Sequence, residues 1–159
     1  MADIACGTGH ALIVLARSFP ASTFTGYDLD EHAIAWAEAA GAGLANVSFE
    51  VTDIARLGMA DRFDVVFVFD AIHDQAEPDV VLARISRALV PGGLLSCASR
   101  TRPGTLAENL ANPMAPVLYS VSTLHCLTVS LAHGGPGIGT MFSEQHISEA
   151  ARSTNCVTS

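Results

Sequence analysis

The chain has 159 residues, enough for one domain that buries roughly two thirds of its unfolded surface. Half of the residues are hydrophobic and 15% are charged, a balance that argues against intrinsic disorder. Sixteen acids stand against eight arginines and no lysine, for a net charge of −8, which speaks against a nucleic-acid binder and excludes a Walker-type phosphate loop and Schiff-base chemistry.

Ala2 to Ala5 reads as a short apolar strand, followed by the small-residue turn Ala5-Cys6-Gly7-Thr8-Gly9 and a helical run with Leu12, Leu15, Ala16 and Phe19 on one face. Glycine at Gly7 and Gly9 tolerates backbone angles that other residues avoid and lets a ligand lie against bare main chain, so a nucleoside-type ligand is expected there. Further strands are predicted at Thr23 to Tyr27, Val47 to Val51, Asp64 to Phe69 and Leu94 to Ala98, the fourth apolar on both faces as a central parallel strand should be. Asp30 is placed to cap a helix through Ala33, Ile34 and Ala37 that ends at Gly41 to Gly43. Val81, Ile85 and Leu89 mark another helix, after which Pro91, Gly92 and Gly93 break the chain.

This alternation predicts an α/β fold, a doubly wound Rossmann-like and mostly parallel sheet, over residues 1–100. Residues 101–159 read as a helical segment of the same domain. No charged residue occurs between Glu108 and Glu144, and Pro116 to Ala132 reads as one helix. At 17 residues, with several Ser and Thr plus Tyr119 and His125, it is too short and polar for a membrane span and is expected in a core, lid or dimer face, with His125 in the core. The HGGPGIGT stretch that follows reads as a flexible connector. Cys6, Cys97, Cys126 and Cys156 lie far apart, without the spacing of a metal motif. Buried free thiols, no metal and a cytoplasmic location are expected, since no basic segment followed by an apolar stretch opens the chain.

In an open parallel sheet, ligands bind beyond the carboxyl ends of the strands. Asp3 with Gly7 and Gly9, then Asp28, then Asp53, then Asp70 with His73 and Asp74 all fall at such ends. Asp28 lies about twenty residues past the turn, where a carboxylate can accept two hydrogen bonds from a ribose diol. That suits either an NAD enzyme or a methyltransferase, but the dinucleotide fingerprint needs a third glycine where this chain has Leu12.

D-I-A-C-G-T-G, Y-D-L-D, T-D-I, F-D-V-V-F-V-F-D and L-V-P-G-G, in that order, resemble a class I S-adenosylmethionine-dependent methyltransferase over about residues 2–98. The later segment is similar to the helical insertion of a bacterial subgroup of small-molecule methyltransferases. The resemblance implies a strand order 3-2-1-4-5, with S-adenosylmethionine as cofactor. It places Asp3 toward the methionyl amino group, the backbone of Ala5, Gly7 and Gly9 along the methionine part, Asp28 on the ribose hydroxyls and Leu29 against adenine. Asp53 would accept from the adenine amine with Ile54 packed nearby, and Asp70 would border the sulfonium. Methyl transfer is an in-line displacement needing no covalent residue, so the protein aligns the acceptor and excludes water.

His73, beside Asp74, is the best placed base, with a turn-capping role as the alternative; His10 could also approach the ligands. A small, apolar acceptor is expected under the segment from Asn109 to Phe142. Ala5 replaces the first glycine of the family's turn. The family's helices before strand one and its sixth and seventh strands are missing or incomplete, so the chain reads as truncated at both ends. An exposed sheet edge then predicts a homodimer. A catalytically silent binding or dimerisation module stands as the rival reading.

Overall fold

The computed structural model describes residues 1–98, 106–139 and 157–158. Its sheet is built from β1 (Ala2–Ile4), β2 (Phe24–Asp28), β3 (Val47–Val51), β4 (Phe63–Phe69), β5 (Leu89–Ala98) and β6 (Val157–Thr158). All pairings are parallel and the order is β3-β2-β1-β4-β5-β6, so the winding reverses between β1 and β4. The expected 3-2-1-4-5 order is therefore present, and the sixth strand is a two-residue addition at the β5 edge.

Alternation along the strands sends side chains into two cores. Ala2 and Ile4 of β1, Val66 and Val68 of β4 and Leu95 of β5 pack with Val81, Leu82 and Ile85 of α3 (Pro78–Ala88). Phe24 and Phe49 pack on the other side with Leu12, Ile13 and Ala16 of α1 (His10–Ser18) and Ile34 and Ala37 of α2 (Glu31–Ala40). Burial of each large side chain contributes about 1.5–3 kcal/mol, and these two layers hold the strand tips in register. Asp30 caps α2 as expected, accepting the His32 N–H at 2.8 Å. Gly26 sits in mid-strand because a Cβ there would come within 2.7 Å of both Cys6 Sγ and the Phe49 ring.

Four sequence expectations change. The Pro91–Gly93 stretch does not end an element: Phe63 pairs with Leu89 and Val65 with Leu94, so residues 90–93 bulge out of β5, with Gly92 at φ +81°. In β4, Val66 and Val68 are buried, but Val65 and Phe67 are half-buried and Phe69 is exposed, so only one of its faces is fully covered among the described residues. The single helix predicted at Pro116 to Ala132 is two, α5 (Ala115–Leu124) and α6 (Cys126–Ala132), separated by His125 at φ −131°, ψ −77°. The hydroxyls of Ser120, Thr123 and Thr128 bond back to carbonyls three or four residues earlier, competing with the helical ladder around the break. The same break leaves His125 exposed, not in the core. By length and composition the run Ala115–Ala132, with a mean hydropathy of 1.3 over 18 residues and 17% of it buried, is long and apolar enough to cross a membrane, and the break at His125 interrupts it.

The fourth change concerns the glycine-rich stretch, described through Gly139. It is a packed strap: Gly137 N–H donates to Ser130 Oγ at 3.2 Å, Ser130 Oγ donates to the Gln75 carbonyl at 3.2 Å, and Ile138 reaches the first core. The short α4 (Leu106–Asn109) precedes α5, and Phe142 lies outside the described residues.

A Cβ at Gly135 would sit 2.6 Å from Ala76 Cα and 2.8 Å from the Ala76 carbonyl oxygen, backbone atoms that cannot rotate away. Gly135→Ala is therefore expected to destabilise the fold by about 1–3 kcal/mol. Urea unfolding checks this, and an unchanged midpoint would show that the strap is not docked.

Candidate functional site at the strand tips

The first turn is held by its backbone. Ala5, Gly7 and Gly9 all have positive φ, +57°, +54° and +71°. Gly9 is required: a Cβ would meet the Phe49 ring and lie 2.9 Å from Ala37 Cβ. Ala5 adopts the left-handed conformation despite its side chain, at a cost of about 1–2 kcal/mol. A Cβ at Gly7 would meet nothing within 4 Å, so open space lies against the main chain there.

Asp28, at the tip of β2, accepts the Gly7 N–H at 2.8 Å through one oxygen and the Asp30 N–H at 3.0 Å through the other. The Cys6 N–H donates to the Tyr27 carbonyl at 3.0 Å. Turn and strand tip are thus a single rigid piece. Beneath it Asp3, with Gly26 and Phe67 as its register partners, is 2% exposed, and its Oδ1 has no hydrogen-bond partner among the described residues. Burial first, and the Asp28 charge second, push its carboxyl up to about 7. Cys6 shares this environment; burial and the charges of Asp3 and Asp28 push its thiol up to about 12, so it is protonated and inert at neutral pH.

The other expected residues complete the row of tips. Leu29, just past Asp28, is 60% exposed, a large apolar side chain with a free face. The Thr52 N–H donates to the Asp28 carbonyl at 2.8 Å, which ties the end of β3 to that of β2. Asp53 caps the turn Ile54–Arg56 through the Ala55 N–H at 3.0 Å and pairs with Arg56 at 3.2 Å. Ile54 is buried in the first core, so it fixes this turn from below. Asp70, at φ +53°, follows β4, and its N–H donates to the Ala98 carbonyl at 2.6 Å.

His73 lies in the next turn, Ile72–Asp74, with 12% of its side chain exposed, 3.1 Å from Asp74 and 3.9 Å from Asp70. His10, by contrast, is exposed at the start of α1. Sequence reasoning missed Cys126, which α6 brings against His73 and Asp74 although it lies 52 positions beyond the nearer of them. No local spacing could have announced that contact.

The profile of a methyltransferase domain family matches residues 1–145. The chain belongs to this family, class I of the S-adenosylmethionine-dependent methyltransferases. It is 31% identical over 118 residues to the ubiquinone/menaquinone biosynthesis C-methyltransferase UbiE of Desulfotalea psychrophila, covering 74% of this chain and 46% of that protein. Among solved structures it resembles an O-methyltransferase family protein from Burkholderia thailandensis, with a TM-score of 0.73, 21% identity and coverage of 97% of this chain and 44% of the other. An S-adenosylmethionine-dependent methyltransferase from Mesorhizobium loti is similar at 28% identity and a TM-score of 0.57, over 65% of this chain and 49% of that one. The chain spans about half the length of these relatives. Leu12, fully buried in the second core where a dinucleotide enzyme keeps its third glycine, agrees with a methyltransferase rather than an NAD enzyme.

The residues present suit the family's cofactor. A buried, unpartnered carboxylate, a side-chain-free turn and an exposed leucine are matched by an ammonium, an extended amino-acid chain and a flat base.

Asp3 also sets a pH dependence. Its folded pKa, raised to about 7, lies above the ordinary 3.8, so its contribution to stability is fully present below pH ~4 and is lost as pH rises to about 7. Asp3→Asn is expected to flatten that slope and to stabilise the ligand-free protein at pH 8 by up to about 4 kcal/mol. Thermal midpoints from pH 4 to 8 check this; parallel curves for the two proteins would contradict it.

Proposed function

We propose that the chain binds S-adenosylmethionine across the tips of β1, β2 and β3 and passes its methyl group to a small, apolar acceptor on the β4 side. The observation that carries this reading is the unpartnered, buried Asp3 carboxylate beneath a glycine turn tethered to Asp28. S-adenosylmethionine supplies, when bound, a methyl carbon already activated by a positive sulfur.

Asp3 would receive the ammonium of the amino-acid part, whose charge compensates the carboxylate's burial. The backbone at Ala5, Gly7 and Gly9 lies along that part, and Asp28, its orientation fixed by two backbone N–H groups, keeps lone pairs for a ribose diol. Leu29 offers its exposed face to the base. Asp53 takes the base's amine through the lone pairs that Ala55 and Arg56 leave, Ile54 anchoring its turn. Asp70 borders the positive sulfur, and a locally negative rim attracts such a cation. His73, held beside Asp74, accepts the acceptor's proton where the nucleophile is a hydroxyl, amine or acidic carbon. α5 and α6 cover the acceptor.

Free thiols at Cys6, Cys97 and Cys126 support work in a reducing cytoplasm. The exposed apolar side chains of Val117, Val121 and Leu124 on α5 support a homodimer. A silent binding module, without turnover, is the rival that activity assays separate.

Calorimetry with S-adenosylmethionine, S-adenosylhomocysteine and NAD is expected to show binding of the first two only. Asp28→Ala is expected to weaken binding by about 1.5–3 kcal/mol, through loss of charge-assisted hydrogen bonds. Unchanged affinity in that variant, or binding of NAD alone, would overturn the assignment.

A further inference from the structure

We propose that His73, Asp74 and Cys126 form a binding site for a thiophilic divalent cation, zinc by the character of its ligands, that clamps α6 onto the turn following β4. One ligand atom from each residue, a ring nitrogen, a carboxylate oxygen and a sulfur, lies within 4.8 Å of the other two. One histidine, one carboxylate and one thiolate make a mixed nitrogen, oxygen and sulfur set of the kind that binds zinc, leaving a fourth position open.

The detailed contacts set the three donor groups at separations that a bound cation can bridge. His73 Nε2 and Asp74 Oδ1 are 3.1 Å apart, and the Cys126 thiol is hydrogen-bonded to the Asp74 side chain, so the three groups converge on one point. Two lone pairs converging on one ion sit about 3.3 Å apart when each bond is about 2.0–2.1 Å long, close to the separation of His73 Nε2 and Asp74 Oδ1. On the far side of the ring, His73 Nδ1 is buried without a hydrogen-bond partner among the described residues and faces Asp70 Oδ1 at 3.9 Å. Metal-bound histidines characteristically turn their second nitrogen toward such a carboxylate.

The supports on either side are built. The turn Ile72–Asp74 rests on the fully buried Ile72, and Gln75 Nε2 donates to the Ala71 carbonyl at 3.2 Å. α6 is fastened to the same turn through Ser130, which is 0% exposed and donates to the Gln75 carbonyl. Cys126, at the first position of α6, is thereby held over His73 and Asp74. Without a cation, burial and the adjacent Asp74 keep its thiol protonated, with a pKa pushed up to about 11. Binding releases that proton to solvent; thiolate and carboxylate then balance the ion's two charges around a neutral imidazole.

An ion on His73 takes a lone pair that a proton would need, so metal loading and the proposed proton acceptance by His73 exclude one another. That clause alone rests on the methyl-transfer reading; the site itself does not.

Cobalt(II) and zinc titrations of the full chain, kept reduced, test the site. A thiolate-to-cobalt charge-transfer absorption at about one equivalent per chain, displaced by zinc, is expected. Cys126→Ser is expected to abolish the absorption, His73→Gln to weaken cobalt binding at least tenfold, and Cys97→Ser to leave it intact. The parent should also gain thermal stability with zinc, a gain that Cys126→Ser lacks. Absence of the thiolate absorption in the parent overturns the proposal, as does its persistence in Cys126→Ser. Because these readouts need neither S-adenosylmethionine nor turnover, failure here leaves the calorimetric result for the cofactor unaffected.

Discussion

The hydrogen bond from the Gly7 N–H to the Asp28 carboxylate is the joint on which the rest of the site depends. It binds the loop after β1 to the tip of β2, two elements otherwise joined through strand pairing, the Cys6 N–H bond to the Tyr27 carbonyl and a buried Phe49. With that joint closed, the turn can hold three alternate left-handed positions, Ala5, Gly7 and Gly9, and still leave open space against the main chain at Gly7. The strain at Ala5 and the burial of Asp3 are both unfavourable for the ligand-free fold, so a bound cation with an extended backbone-like chain relieves one and is aligned by the other.

The two halves of the strand-tip row differ in how they are held. Around β2 and β3 the carboxylates are fixed by backbone N–H groups: Gly7 and Asp30 for Asp28, Ala55 for Asp53. Around β4, His73 and Asp74 are held by packing against α6, and they contact one another and Cys126 through side chains alone. The first arrangement suits a ligand of constant shape. The second concentrates reactive groups beneath a helix that sequence proximity does not tie to them.

Much of this was legible in the chain because the features are local. Strand β3 matches its predicted limits, β1 and β4 differ from theirs by one residue at one end, and β2 is shifted by one residue at both, since short apolar runs bounded by turn residues define parallel strands. The acids at the strand tips follow from topology alone. Where reading failed, a longer-range term decided. Pro91 to Gly93 carries every sign of a break, but pairing of Leu89 with Phe63 keeps the strand going around a bulge. His125 interrupts a continuous apolar run that has no proline or glycine at that point, with back-bonding hydroxyls on both sides. The glycine stretch looked mobile because its partners, Ser130 and the main chain at Gln75 and Ala76, come from separate elements. Cys126 was set apart as an isolated thiol for the same reason.

The most direct test of the account is the carbon-13 titration of the Asp3 carboxyl by NMR, with and without saturating S-adenosylmethionine. The account expects a midpoint near 7 in the ligand-free protein and a fall of at least two pH units on binding, because an ammonium placed on a desolvated carboxylate favours its charged form. A midpoint that stays near 7 with ligand bound, or that lies in the ordinary carboxylate range without it, would contradict the central claim.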